Sequence, residues 1–201
     1  MVNSFEQVLN RFRDDSWIMF PQPVEISIPD AERRLRDALG FLVQSDGFGS
    51  RRQAEWSEHN YRPVVRWMEC NKGRGLLLIG PCGLGKTLIA KYILPFLIRD
   101  TCGKFMHVYS VQELNSRPDE VLSHHLVCVD DVGTEQTANI YGNRRVPFME
   151  LCDEAEKRGM LLVCTSNLTV PEFVAKYGER TVDRLRAVTT VVPFSGKSLR
   201  K

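Results

Sequence analysis

Apolar positions recur along this chain with two spacings, one helical and one extended, and the change between them divides it. Near the start, Phe5, Val8, Leu9 and Phe12 share one face of a helix expected over Ser4 to about Arg13, with Ser4 and Gln7 spaced as a capping box. Trp17-Ile18-Met19-Phe20, Pro21 and Pro23 follow, and Val24 to Ile28 alternates as an extended segment does. Pro29 to about Gln44 predicts a second helix, with Leu35, Leu39 and Leu42 on one side and Arg33, Arg34 and Arg36 on the other. Ser45 to Ser50, with two glycines, is a loop and a boundary. An amphipathic helix does not say what it faces. Residues 1–50 either pack back on the rest or dock a partner protein. The division adopted is a helical partner-docking segment, 1–50, ahead of a main domain, 51–201.

Beyond the boundary the pattern alternates. Arg51 to Cys70 reads as helix with a break near Pro63. Leu76 to Ile79 is a first apolar strand, followed by a helix from Leu88 to about Arg99 that Pro95 should kink or end. Phe105 to Ser110 is a second strand, Asn115 to Asp119 a turn, and Leu126 to Asp131 a third strand. Asn143 to Lys157 reads as helix, with Val146, Met149, Leu151 and Cys152 on its buried side. Leu161 to Asn167 is a fourth strand, Thr169 caps a short helix, and Val188 to Phe194 is a fifth. Strands alternating with helices predict an α/β fold with a parallel sheet covered on both faces.

Composition narrows the picture only a little. The chain has 201 residues and a formal net charge of +2, so any grip on nucleic acid is local. Its six cysteines are scattered and the four histidines lack metal-site spacing, which reads as a reduced, cytoplasmic protein. No apolar run approaches the 18 residues or so of a membrane span, and no signal peptide is expected.

The chemistry concentrates where strands end. Gly80-Pro81-Cys82-Gly83-Leu84-Gly85-Lys86-Thr87 stands between the first strand and the helix opening at Leu88, and fits G-x-x-x-x-G-K-S/T. The glycines let successive N–H groups face inward around a triphosphate at a positive helix end. Lys86 would reach the β- and γ-phosphates and Thr87 would offer its hydroxyl to Mg²⁺. The third strand ends in Asp130-Asp131, at the sheet edge where ligands of parallel sheets bind. Asp130 would hold the hydrated Mg²⁺ and Asp131 would orient or deprotonate the attacking water. Asn167, at the exit of the fourth strand, can hydrogen-bond the γ-phosphate or that water. ATP and Mg²⁺ are therefore the expected ligands.

With these pieces in view, the chain resembles the DnaC/IstB branch of the AAA+ ATPases. In that branch DnaC and DnaI load the replicative helicase and IstB assists a transposase. The matching residues are Gly80 to Thr87, Asp130-Asp131-Val132-Gly133-Thr134-Glu135, Thr165-Ser166-Asn167, Tyr177-Gly178-Glu179-Arg180 with Asp183-Arg184-Leu185, and Gly196-Lys197-Ser198-Leu199-Arg200. The resemblance spans about 70 to 201. It implies a P-loop, three-layer AAA+ fold with five parallel strands in the order 5-1-4-3-2 and little or no C-terminal lid. It makes Asn167 a sensor of the γ-phosphate. Arg184 becomes an arginine finger for a neighbouring subunit, with Arg180 a second arginine near that interface. The alternative for both is a surface arginine paired with Glu179 or Asp183.

The implied function is an ATP-hydrolysing switch that assembles with copies of itself on a replicative helicase, on single-stranded DNA, or on both. An IstB-like transposase helper and an adaptor that holds ATP with little turnover are the rivals. One departure from the family pattern, and one departure from ordinary AAA+ proteins that the family shares, stand out. Only Gln112 to His125 separates the second strand from the acidic strand, where loaders carry a longer insertion thought to touch DNA. Without a lid, adenine must be covered from elsewhere, and Asn60, Tyr61 and Arg62 are the candidates. Arg144 and Arg145 are candidates for DNA contact.

Overall fold

The computed structural model describes residues 22–44, 56–135, 138–140 and 143–198, the side chains of 138–140, 143 and 144 excepted. The helix expected over 4–13, the apolar run at 17–20, the loop at 45–50 and the start of the helix expected from Arg51 lie outside them. Five parallel strands form the centre: β1 (Gly75–Ile79), β2 (His107–Ser110), β3 (Leu126–Val132), β6 (Leu161–Ser166) and β7 (Thr189–Pro193). Their spatial order is β2-β3-β6-β1-β7, which is the expected 5-1-4-3-2 read from the other edge. Residues of β1 and β6 are buried throughout, because helices cover both faces.

One face carries α1 (Ala31–Gln44), α2 (Glu58–Glu69) and α3. The last begins as π-helix over Leu88–Ile93 and continues as α-helix over Leu94–Cys102. Leu76, Leu78 and Val163 meet Leu35, Val64, Met68, Ile89 and Leu94 there. The other face carries α4 (Val111–Ser116), α5 (Pro118–Ser123), α6 (Pro147–Arg158), α7 (Val170–Tyr177) and α8 (Glu179–Val188). Leu77, Val127, Val129 and Leu162 meet Leu114, Phe148, Leu151, Phe173 and Leu185 there. Among the described residues no helix follows β7.

The apolar side of α1 is occupied. Leu35 and Leu39 are buried in the same core as Ile89 and Leu94, and Arg34 pairs with Asp100 of α3 at 3.1 Å. The extended stretch before α1 is strapped down as well. Ile28 N–H donates to Met68 O at 2.8 Å, and Ile26 N–H to Asn71 Oδ1 at 2.8 Å. For these residues the packing alternative describes what is seen.

Several local expectations are corrected. Pro63 lies inside α2 without ending it. Pro95 does not end α3: the helix runs through it, with the π-helical stretch just before it, and the Ala90 carbonyl five residues upstream accepts Cys128 Sγ at 3.3 Å. The turn expected at 115–119 is the junction of two short helices at Arg117. Asn143 to Val146 is not helical. β4 (Ala138–Ile140) and β5 (Asn143–Arg145) form an antiparallel pair, and α6 starts at Pro147, a residue suited to a first helical turn.

Candidate functional site

β1 ends at Ile79 and the chain curls through Gly80 to Gly85 before entering α3. Gly80 N–H donates to Ser166 O at 3.1 Å and Ile89 N–H to Gly85 O at 3.0 Å, which pins both ends of the curl. Leu84 is buried beneath it, and Tyr61 Oη donates to its carbonyl at 3.5 Å. Pro81 and Cys82 are exposed at the loop tip. Leu88 is half-buried in the first π-helical turn.

Lys86 is 5 % exposed, and its ammonium is held inside its own loop. Nζ donates to Gly80 O at 2.7 Å, Pro81 O at 2.8 Å and Asn167 Oδ1 at 2.9 Å. These acceptors are neutral. A phosphate oxygen in the same place would make shorter, charge-assisted bonds and would draw the ammonium outward.

The acidic pair sits on a β-bulge. The register of β3 against β6 shifts between Val129 and Val132, and Asp131 takes a left-handed backbone with φ 59°. A bulge re-aims side chains, and here it turns two adjacent carboxylates to different partners. Asp130 is buried; its Oδ1 accepts Thr87 Oγ1 at 3.1 Å and Thr165 Oγ1 at 2.6 Å. Asp131 Oδ1 accepts Asn167 Nδ2 at 3.2 Å, while its backbone N–H donates to Thr165 Oγ1 at 2.9 Å. Thr87, Asp130, Thr165, Asp131, Asn167 and Lys86 thus form one connected circuit at the C-terminal ends of β1, β3 and β6. The hydroxyl of Thr87 and the carboxylate of Asp130 are hard oxygen donors 3.1 Å apart, a pair that fits Mg²⁺.

Thr165 is the residue that sequence reasoning passed over. Its signal was present in the Thr165-Ser166-Asn167 run, but only the amide was given a role. The structure makes the hydroxyl the joint between the two carboxylates.

The arginines stand apart from this circuit. Arg184 pairs with Asp153, and its Nε lies 3.3 Å from Glu156, both on α6. The partners are not Glu179 or Asp183. Arg180 is exposed on the first turn of α8 and makes no ion pair among the described residues. The three residues suggested for adenine are otherwise engaged. Asn60 clamps the chain after β7, its amide bonded to both O and N–H of Ser195 at 2.9 Å. Tyr61 is buried in the core and Arg62 pairs with Glu32. Besides Tyr61, the tail reaches the glycine loop. A Cβ built at Gly83 would collide with Ser198 Oγ, so Ser198 lies directly against the loop. Arg145 is bound to Glu150 and Asp119, so its charge is spent inside the molecule. The side chain of Arg144 is outside the described residues. Gln112 of the short segment reaches Thr134 Oγ1 at 3.2 Å.

No family profile and no curated protein matches the sequence. Solved structures do match the fold. The DnaC helicase loader is similar over 84 % of this chain and 93 % of its own, with TM-score 0.53 and 14 % identity. DnaI is similar over 63 % of this chain and 73 % of its own, with TM-score 0.51 and 20 % identity. AMPPCP-bound DnaA from Aquifex aeolicus is similar over 72 % of this chain and 50 % of its own, with TM-score 0.53 and 13 % identity.

Proposed function

We propose that this chain, whose fold is of the DnaC/DnaI AAA+ type, is an ATP-dependent switch of the helicase-loader class. It binds ATP, hydrolyses the β–γ bond and assembles with copies of itself on a replicative helicase and single-stranded DNA, in the cytoplasm. Among the described residues no helix is long and apolar enough to cross a membrane. The observation that carries the reading is the circuit in which Lys86, Asn167 and Asp131 are hydrogen-bonded in series beside Thr87 and Asp130. Nucleotide binding in the DnaA relative supports it by analogy of fold.

Each residue then has a task. The backbone of Gly80 to Gly85 cradles the phosphates, and Lys86 neutralises them from below. Thr87 and Asp130 would hold Mg²⁺, which supplies charge stabilisation at the leaving phosphates when bound. Asp131 orients the attacking water and accepts its proton, with Asn167 as the donor that fixes both water and γ-phosphate. Arg184 completes the site of a neighbouring copy.

Calorimetry with ATP and Mg²⁺ tests the core of this. Lys86→Ala should weaken binding by about a hundredfold or more, since charge-assisted hydrogen bonds contribute about 1.5–3 kcal/mol each. Unchanged affinity removes the site assignment. The IstB-like reading uses the same site, so the partner separates the two. Retention of a purified replicative helicase on the immobilised chain, in an ATP-dependent way, supports the loader; retention of a transposase instead supports the helper.

A further inference from the structure

Among the described residues two carboxylates are buried, Asp130 and Glu135. The first belongs to the nucleotide site. The second does not touch it, yet its carboxylate is fully engaged. Glu135 Oε2 accepts Gly133 N–H at 2.8 Å and Oε1 accepts the hydroxyl of Tyr177. Lys176 closes the arrangement from the residue before Tyr177 on α7. Its Nζ donates to Gly133 O at 2.8 Å and to Glu135 O at 2.7 Å, and stands 3.9 Å from the Glu135 carboxylate. A buried carboxylate is costly unless it is bonded in this way.

The two ends of this link are informative. On one side, the turn at 133–135 continues straight from Asp131. Thr134 Oγ1 donates to Asp131 O at 2.9 Å, and Ser166 Oγ to Val132 O at 2.7 Å. Gly133 has φ 107° and a Cβ there would strike Leu168, so the turn has little room to shift without its neighbours. On the other side, Tyr177 is buried against Phe148 and Phe173 and ends α7; α8, with Arg180 and Arg184, begins two residues later. Burial raises the Tyr177 phenol well above its ordinary range, and the bond to Glu135 adds to that, so it remains a donor.

The site end of the path is the part a phosphate disturbs. Lys86 donates to Asn167 Oδ1, and Asn167 Nδ2 donates to Asp131 Oδ1. A phosphate that takes over Lys86 frees the Asn167 oxygen and changes what holds Asp131. The displacement can pass along the hydrogen-bonded turn, because a network of packed groups carries coupling when its parts have two arrangements.

Resting on the nucleotide-site reading above, we propose that Glu135 is a positioning residue that ties the Asp131 turn to the head of the arginine helix, so that occupancy of the site is transmitted to Arg180 and Arg184. The experiment is hydrogen–deuterium exchange of the full chain, with and without Mg²⁺ and a non-hydrolysable ATP analogue. The parent, Glu135→Gln and Tyr177→Phe are compared, each with a melting curve. Tyr177→Phe removes one hydroxyl and keeps the ring packing, so it serves where Glu135→Gln does not fold.

In the parent, the analogue should slow exchange in residues 80–90 and also alter it in 179–188. In either variant the first effect should persist and the second should fall to a small fraction of its parent size. The ATPase readout should agree, with kcat about tenfold lower and the affinity for ATP within about twofold of the parent. The double variant should be no slower than the slower single, because the two side chains act as one unit. If 179–188 responds equally in parent and variants, or not at all while 80–90 is protected, the coupling is rejected and the nucleotide reading stands. If 80–90 is not protected in the parent, the nucleotide reading fails and the proposal with it.

Discussion

At the scale of single residues, the site depends on how two neighbouring aspartates are made unequal. Asp130 faces inward onto Thr87 and Thr165, whereas Asp131, bent by its left-handed backbone, faces Asn167. Asp130→Asn should therefore weaken Mg²⁺-dependent nucleotide binding, because it removes a charge from the place where Thr87 would share the metal. Asp131→Asn should leave binding within about twofold and lower hydrolysis strongly, since removing a positioned general base loses about 10²–10⁴ in rate. Paired calorimetry and steady-state kinetics check this; parent rates in both variants would make the pair structural. Thr165→Val is the sharper probe of the circuit. It conserves shape but orphans the Asp131 N–H and strips a bond from Asp130, at about 1–3 kcal/mol for the unsatisfied buried group. Thermal unfolding should register that loss together with weaker binding.

At the scale of elements, Ser110 and Glu113 form a reciprocal cap on α4, just where β2 leaves the sheet. The Ser110 N–H, and then its hydroxyl, hold the Glu113 carboxyl below its ordinary range. A value depressed in the folded state means that the unfolded chain takes up the proton first as pH falls. The contribution is thus complete above the ordinary glutamate range, about 4.3, and is lost as pH drops through the depressed value. Ser110→Ala should cost about 0.5–1 kcal/mol at pH 7, the lower end of the capping range because the box is exposed, and somewhat less at about pH 2–3, because the bond from Glu113 N–H to the hydroxyl does not titrate while the hydroxyl's bond to the carboxylate does. Denaturant melts at the two pH values measure it. Such local signals explain what was legible in the sequence. β1, β3 and β6 were readable because a strand buried on both faces is a continuous apolar run, and each ends in a polar signature at the site. The β4–β5 hairpin was not readable, since strands of three residues offer no pattern and Arg144-Arg145 looks like a solvated helix face. The joining contacts were not readable either. Glu135 meets Tyr177 across 42 residues of sequence and Arg184 meets Asp153 across 31, and neither spacing has a local cause.

At the scale of the whole molecule, two questions concern what the chain does with its first quarter and with its neighbours. Because Ile26, Ile28, Leu35 and Leu39 are buried in the α3 side of the core, a chain starting at Arg51 should be much less stable than the parent. Each such side chain contributes about 1.5–3 kcal/mol on burial. A truncation that melts at the parent temperature and still binds ATP would instead favour a separable docking segment. The neighbour question turns on Arg184. In the single chain its guanidinium rests on Asp153 and Glu156, partly exposed at 23 %. Both pairs keep contact with solvent, so under the trans assignment a neighbour's γ-phosphate would compete with Asp153 and Glu156 for the guanidinium. Arg184→Ala should then bind ATP normally but hydrolyse it about 10³–10⁵ more slowly, the range for an arginine finger. Lys86→Ala should be equally inactive for the opposite reason, an empty site beside an intact arginine. Mixing the two inactive proteins makes some interfaces with a working Lys86 and a working Arg184, and activity should return in the mixture. It should rise with total protein concentration if, as proposed, the active unit is an assembly. Melting curves guard against the simpler outcome, in which losing the Asp153 and Glu156 contacts loosens α8 from α6. If Arg184→Ala melts like the parent, the parent is active with helicase or single-stranded DNA present, and the mixture stays inactive there, Arg184 acts within its own chain and the trans assignment is withdrawn.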